Sequence, residues 1–191
     1  MNFNNFTIKS QEAIQKAVEL TRSAGSQAIE PVHLLKGVID EGDSLVKFIF
    51  QKIGANIAAL TANVDNAIAS EPKVSGGEPY LSRTSNDVLQ KALDIAKKNG
   101  DQYVTLEALL QAIFEINSPA STILKNAGLT LKELTAAVEE LRKGKKATDQ
   151  SAEEQYNALS KYAINLNERA REGKLDPVIG RDERLGECFR F

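Results

Sequence analysis

The sequence predicts an all-α domain made of two four-helix repeats packed about a pseudo-twofold axis. Three observations predict it. Apolar residues recur at helical spacing through most of the first 143 residues, and no run alternates apolar with polar as a half-buried strand would. Helix-starting and helix-ending residues stand at the ends of those runs. The first half of the chain is also rewritten in the second.

The rewriting is read at an offset of 75. Gln15-Lys16-Ala17 recurs as Gln90-Lys91-Ala92, Ile14 meets Leu89, Gly25 meets Gly100, and Leu34-Leu35 meet Leu109-Leu110. One residue is then lost. At an offset of 74, Gly54 meets Gly128, Ile57 meets Leu131, Leu60 meets Leu134 and Val64 meets Val138. The seam is Lys73–Arg83, KVSGGEPYLSR, where Gly76-Gly77 and Pro79 break helix. Each half has roughly 65 residues, near the lower limit for a self-sufficient core, so the halves are expected to pack as one domain.

In order, the first helix covers 7–24, with Thr7 as N-cap, a stripe of Ala13, Ile14, Ala17, Val18 and Thr21, and Gly25 at the left-handed C′ position. The second starts after Glu30, with Pro31 at N1, and turns Leu34, Leu35, Val38 and Ile39 inward. A third is expected at 43–53 and a fourth at 56–69. Ser82 takes the place of Thr7 at the start of the fifth, which ends at Gly100. Thr105 caps the sixth, Ser118-Pro119 opens the seventh, and Thr130-x-x-Glu133 is a capping box for the eighth, running to about Lys143. The domain is therefore expected to span 1–145, with repeats at about 6–70 and 80–143. Residues 146–158 are polar and read as a linker. A short helix and a turn-rich segment fill 159–191.

Composition narrows the function. A net charge of -2 without a basic stripe argues against nucleic acid as a partner. No apolar run approaches the ~18 residues of a membrane span, and the start lacks the signature of a signal peptide. The single cysteine, Cys188, fits a reducing cytoplasm. GxxxxGK[ST] and GxGxxG do not occur, so this chain is not expected to be an enzyme or to hold a nucleotide cofactor. The only histidine, His33, reads as a packed helix residue, and a zinc site would need more ligands than one His and one Cys. Asp101, after the helix-ending Gly100, reads as a turn residue, and Glu107 as a first-turn complement to the helix dipole. Residue by residue, this is the profile of a binding module.

Longer phrases are more specific. Phe6–Ala13 (FTIKSQEA), Glu30–Leu35 (EPVHLL), Pro72–Arg83 (PKVSGGEPYLSR), Ala147–Gln150 (ATDQ) and Ala170–Glu183 (AREGKLDPVIGRDE) make the chain resemble, to about residue 184, the Hsp100 chaperones of the Clp ATPase family, in their disaggregase branch. The helical double repeat looks like the Clp amino-terminal domain. Ala170–Glu183 is similar to the lead-in to the first AAA+ module.

The resemblance implies a mobile module on a hexameric ring. It would bind exposed apolar segments of unfolded or aggregated proteins and pass them to an ATP-driven channel. Its partners would be those substrates, the rest of a hexamer or a co-chaperone system. ATP would be needed only by a full-length relative. The family's residues for substrate handling fall on Thr7, Asp101 and Glu107, with Leu89 for a groove between the repeats. Ala108 stands where some relatives carry a larger apolar residue. The alternative is a docking platform for a folded adaptor. Past Glu183 the family continues with an arginine-rich helix and a P-loop, whereas this chain reads Arg184–Phe191 (RLGECFRF), as a truncated or frame-shifted ending would. Backbone beyond about Lys174 is expected to be disordered, and the chain monomeric.

Overall fold

In the computed structural model the described residues are 3–74 and 77–153. The expected short helix, the Asp176–Glu183 segment, Cys188 and the disorder beyond Lys174 lie outside them. The elements are α1 (Ile8–Ser23), β1 (Ala28–Ile29), α2 (Pro31–Ile53), α3 (Ile57–Ala69), β2 (Tyr80–Leu81), α4 (Arg83–Lys98), α5 (Leu106–Glu115), α6 (Pro119–Asn126) and α7 (Leu131–Arg142). All belong to one unit, Met1–Asn157.

The caps are those the sequence predicts. Thr7, Ser82, Thr105 and Thr130 each accept a backbone N–H three residues on, from Ser10, Ser85, Ala108 and Glu133. Glu133 departs from a full capping box: its carboxylate takes the Thr130 hydroxyl. The paired glycines Gly25 and Gly100 have φ of 76° and 77°, the left-handed geometry that ends a helix at the same place in each repeat.

Two expectations are corrected. The second and third helices are one continuous helix, α2, of 23 residues. Its middle, Asp40-Glu41-Gly42, contains glycine but no proline, and a helical glycine costs only about 1 kcal/mol. The equivalent point in repeat two carries Ser118-Pro119, where proline holds the preceding residue out of helix, so α5 and α6 stay separate. Repeat one therefore has three helices and repeat two has four. Short strands are also present. β1 and β2 pair in parallel, Ala28 with Tyr80 and Ile29 with Leu81, and Phe6 bridges Val104. Pairs of one or two residues leave no alternation for a sequence to show.

Those pairings make two halves into one domain. Phe6 and Leu81 are 75 apart, as are Ile29 and Val104, so the bridge and the sheet are the same contact repeated about the pseudo-twofold axis. The Thr7 N–H donates to Val104 O at 3.0 Å and the Ser82 N–H to Ile29 O at 3.2 Å. Buried Ser10 donates its hydroxyl to Val104 O at 2.9 Å, and buried Ser85 to Ile29 O at 2.6 Å. Each repeat thus anchors the first helix of the other.

The core is continuous across both repeats. Leu34, Leu35, Ile49 and Phe50 of α2, Leu89 of α4 and Leu109 of α5 are all fully buried. Helix α2 packs against each of the other six helices. Its approach to α1 is tight at Gly37, where an added Cβ would lie 2.2 Å from Ala13 O.

Candidate functional site

Buried charge gathers at one end of repeat two. The turn after α4 holds the Asp101 carboxylate, fully shielded from solvent. The last residue of α7, Arg142, grips it with two hydrogen bonds, Nη1 to Oδ2 at 2.9 Å and Nη2 to Oδ1 at 2.6 Å. Such bidentate pairs are the stronger kind. Arg142 Nε also lies 3.6 Å from Oε2 of Glu107, itself buried in the first turn of α5.

A third carboxylate comes from the segment expected to be linker. Residues 144–153 fold back along the domain. The Ala147 N–H donates to Asp101 Oδ1, the Gln102 N–H to Ala147 O, and the Ile8 N–H to Gln150 O. Glu153 is thereby placed between the first turns of α1 and α5. Its Oε2 accepts the Thr7 hydroxyl at 2.5 Å and the Leu106 N–H at 2.9 Å, and the side chain is buried. The expected linker is thus packed on the domain as far as Glu153. Small residues made this hard to foresee, because Ala147 and Ala152 are its only buried apolar anchors.

Three buried carboxylates share one guanidinium, and the electrostatics follow. Burial raises the Glu107 pKa to about 7, helped by the charge of Glu153 and opposed by Arg142. Burial also raises that of Glu153, against the hydrogen bonds from Thr7 and Leu106. His33, buried in α2, is moved the other way, down to about 4, because burial disfavours its charged form. Its Nδ1 accepts the Glu30 N–H at 2.9 Å. Among the described residues no group of His, Cys, Asp and Glu side chains is placed to hold a metal ion. No single described helix is long and apolar enough to cross a membrane.

Of the four residues singled out in the sequence, Thr7, Asp101 and Glu107 meet in this cluster, joined through Glu153 and Arg142. Leu89 lies in the core of α4, fully buried. None of the four side chains reaches solvent in this conformation. Sequence reasoning missed Arg142 and Glu153. Nothing in the sequence singled out Arg142, and the adjacent carboxylates Glu153 and Glu154 read as a solvated helix face or end. The only signal near Glu153 was the ATDQ phrase.

Two clefts flank the Asp101–Arg142 pair. One, of about 360 Å³, lies between α4, the 101–104 turn and the amino-terminal segment before α1; Asn5, Leu93, Lys97, Asp101 and Gln102 are on its walls. The other, of about 350 Å³, lies between α4, α5 and α7, with Lys91, Lys98, Lys145 and Lys146 at its margin.

This architecture is that of a helical double-repeat domain, and the comparisons agree. The chain belongs to the family of the Clp repeat (R) N-terminal domain, which matches residues 5–127. A Clp amino-terminal domain is not itself catalytic. Chaperone protein ClpB of Bacteroides thetaiotaomicron is 61% identical over 191 residues, all of this chain and 22% of its own length. The ClpB of Porphyromonas gingivalis is 60% identical over the same extent. The chain thus spans about a fifth of these relatives. Among solved structures, the Hsp104 N-terminal domain from Candida albicans superposes with a TM-score of 0.71 at 23% identity, over 78% of this chain and 99% of that one. The N-terminal domain of ClpD from Arabidopsis thaliana superposes with a TM-score of 0.57 at 23% identity, over 73% of this chain and 96% of that one. At these identities the likeness is one of fold.

Proposed function

We propose that the chain is the substrate-binding amino-terminal module of a ClpB-like disaggregase, working in the cytoplasm on exposed apolar segments of unfolded or aggregated proteins. The observation that supports this best is the 360 Å³ cleft where the repeats meet. Half-buried Leu93 supplies apolar contact there, while Asn5, Lys97 and Gln102 provide a polar rim that can orient a peptide. In this reading Thr7, Asp101 and Glu107 act as positioning residues, holding the cleft wall from behind. Leu89 supports the same wall from inside α4. Capture through so small a cleft is weak and reversible, which suits delivery to a channel. Several copies on a ring would raise the avidity.

The test is fluorescence anisotropy of a labelled, permanently unfolded protein titrated with the 191-residue chain, beside the folded form of the same probe. Saturable binding of the unfolded probe alone is expected. Leu93→Glu should weaken it by about tenfold, the loss of ~1.4 kcal/mol, measured well below the variant's own melting temperature. Binding unaffected by Leu93→Glu would remove the cleft assignment. Preference for a folded protein would favour adaptor docking.

A further inference from the structure

The segment 144–153 is held differently from the rest of the domain. Helices α1 to α7 are held by large apolar side chains, whereas this strap is anchored by two alanine methyl groups, Ala147 and Ala152. Its other contacts are polar. The Gln102 N–H and the Ile8 N–H donate to its carbonyls, Lys146 Nζ reaches Asn99 O at 2.8 Å, and Glu153 accepts from Thr7 and Leu106. Segments with few buried apolar contacts open at much lower free energy than the core.

Pseudo-symmetry shows what is particular to the strap. In repeat one, Lys73 Nζ reaches Ala24 O at 2.9 Å and the Val74 N–H donates to Gly25 O. Repeat two repeats the lysine bond, Lys146 Nζ to Asn99 O, but its next N–H, that of Ala147, goes to the Asp101 carboxylate. The chain after Lys73 then runs into β2 and α4, so covalent continuity with a second helical repeat holds it. Residues 147–151 belong to no helix or strand, and Ala152 and Glu153 are helical. There Glu153 sits where Thr7 and the first turn of α5 converge from opposite repeats. Its second oxygen, Oε1, is buried without a hydrogen-bond partner, so the hold is incomplete.

We infer that residues 144–153 form a releasable strap, latched by Glu153 onto Thr7 and the Leu106 N–H, which covers the buried polar cluster when docked and uncovers it when released. Release frees the Asp101 carboxylate from the Ala147 N–H and opens Thr7 and Glu107 to solvent. The strap is a property of the described residues alone and holds whether or not the cleft captures substrate.

Hydrogen exchange of the 191-residue chain tests this. Three amides report the docked strap because their acceptors lie in it: Ile8, Gln102 and Leu106. In Glu153→Ala they should exchange at least about tenfold faster than in the unsubstituted chain, while core amides such as Val38 keep their rates. Glu153→Gln keeps the side-chain volume and one acceptor oxygen, guards against a variant that fails to fold, and should accelerate the same three amides less. Unchanged rates at Ile8, Gln102 and Leu106 in Glu153→Ala would overturn the latch. So would acceleration of these amides together with Val38 in both variants, because the strap would then belong to the core.

Discussion

The two repeats share a helical plan and bury opposite kinds of residue at matching places. Asp101 of repeat two stands where repeat one has Ser26, Glu107 where it has Val32, and Arg142 where it has Ile68. Repeat one closes this corner with a neutral hydrogen bond, Ser26 Oγ to Pro72 O at 3.0 Å, and with apolar packing. Repeat two closes it with a bidentate ion pair and two further carboxylates. A buried ion pair adds little net stability over apolar packing, and costs much when broken. The difference therefore teaches that repeat one is built for stability and that repeat two gives some of it up. What repeat two gains is a corner that a polar strap can hold.

The largest effect expected from this contrast is at Asp101. Asp101→Ala leaves Arg142 buried without its bidentate partner and should cost about 3–5 kcal/mol in urea unfolding, whereas Ser26→Ala should cost about 1 kcal/mol. Equal losses would erase the distinction between the corners. Asp101→Ala is thus a poor probe of capture by itself, since stability changes with it.

The pH dependence sets the repeats against each other. His33 has its pKa lowered from 6.5 to about 4, so its contribution is present at neutral pH and is lost as pH falls from 6.5 towards 4. Glu107 has its pKa raised from 4.5 to about 7, so stability is lost as pH rises from 4.5 through 7. Between about 4.5 and 6.5 the His33 slope opposes that of Glu107, and Glu153, also raised by burial, acts on the side of Glu107. Glu107→Gln removes one group from that side. Relative to the unsubstituted chain, its stability should fall by about 2–3 kcal/mol on acidification through that window, at about 1.4 kcal/mol per pKa unit. A profile with the same slope as that of the unsubstituted chain would show that the opposition is not at work.

Helix crossings differ as well. Gly37 of α2 lets α1 approach so closely that a Cβ there would meet Ala13 O, while the equivalent residue of α5 is the fully buried Ala112. Gly37→Ala should destabilise by about 1–3 kcal/mol through overpacking, despite the better helix propensity of alanine. If it stabilised the domain, the close approach would be disproved. The smallest effects are expected where the repeats agree. Lys73→Ala and Lys146→Ala each remove one exposed hydrogen bond to a helix C-terminus, Ala24 O or Asn99 O, and each should cost about 0.3–1 kcal/mol. A much larger loss at Lys146 would show the strap to be held there and not at Glu153.

What the sequence determined was local and periodic. Thr7, Ser82, Thr105 and Thr130 identified helix starts because a cap acts over three residues, and Gly25 and Gly100 marked ends because few residues tolerate positive φ. The 75-residue repeat placed those signals twice and implied that two undersized cores would merge. Where a local signal was absent the reading failed, as at Gly42, where a single glycine proved too weak a breaker to divide α2. Only the tertiary structure decided the exchange of Ser10 and Ser85 between repeats, and the meeting of Thr7 with Glu153 across 146 positions. Such contacts carry no period. Whether Arg142 or Glu153 faces water or a carboxylate depends on which surfaces come together, and burial then decides the charge they can hold.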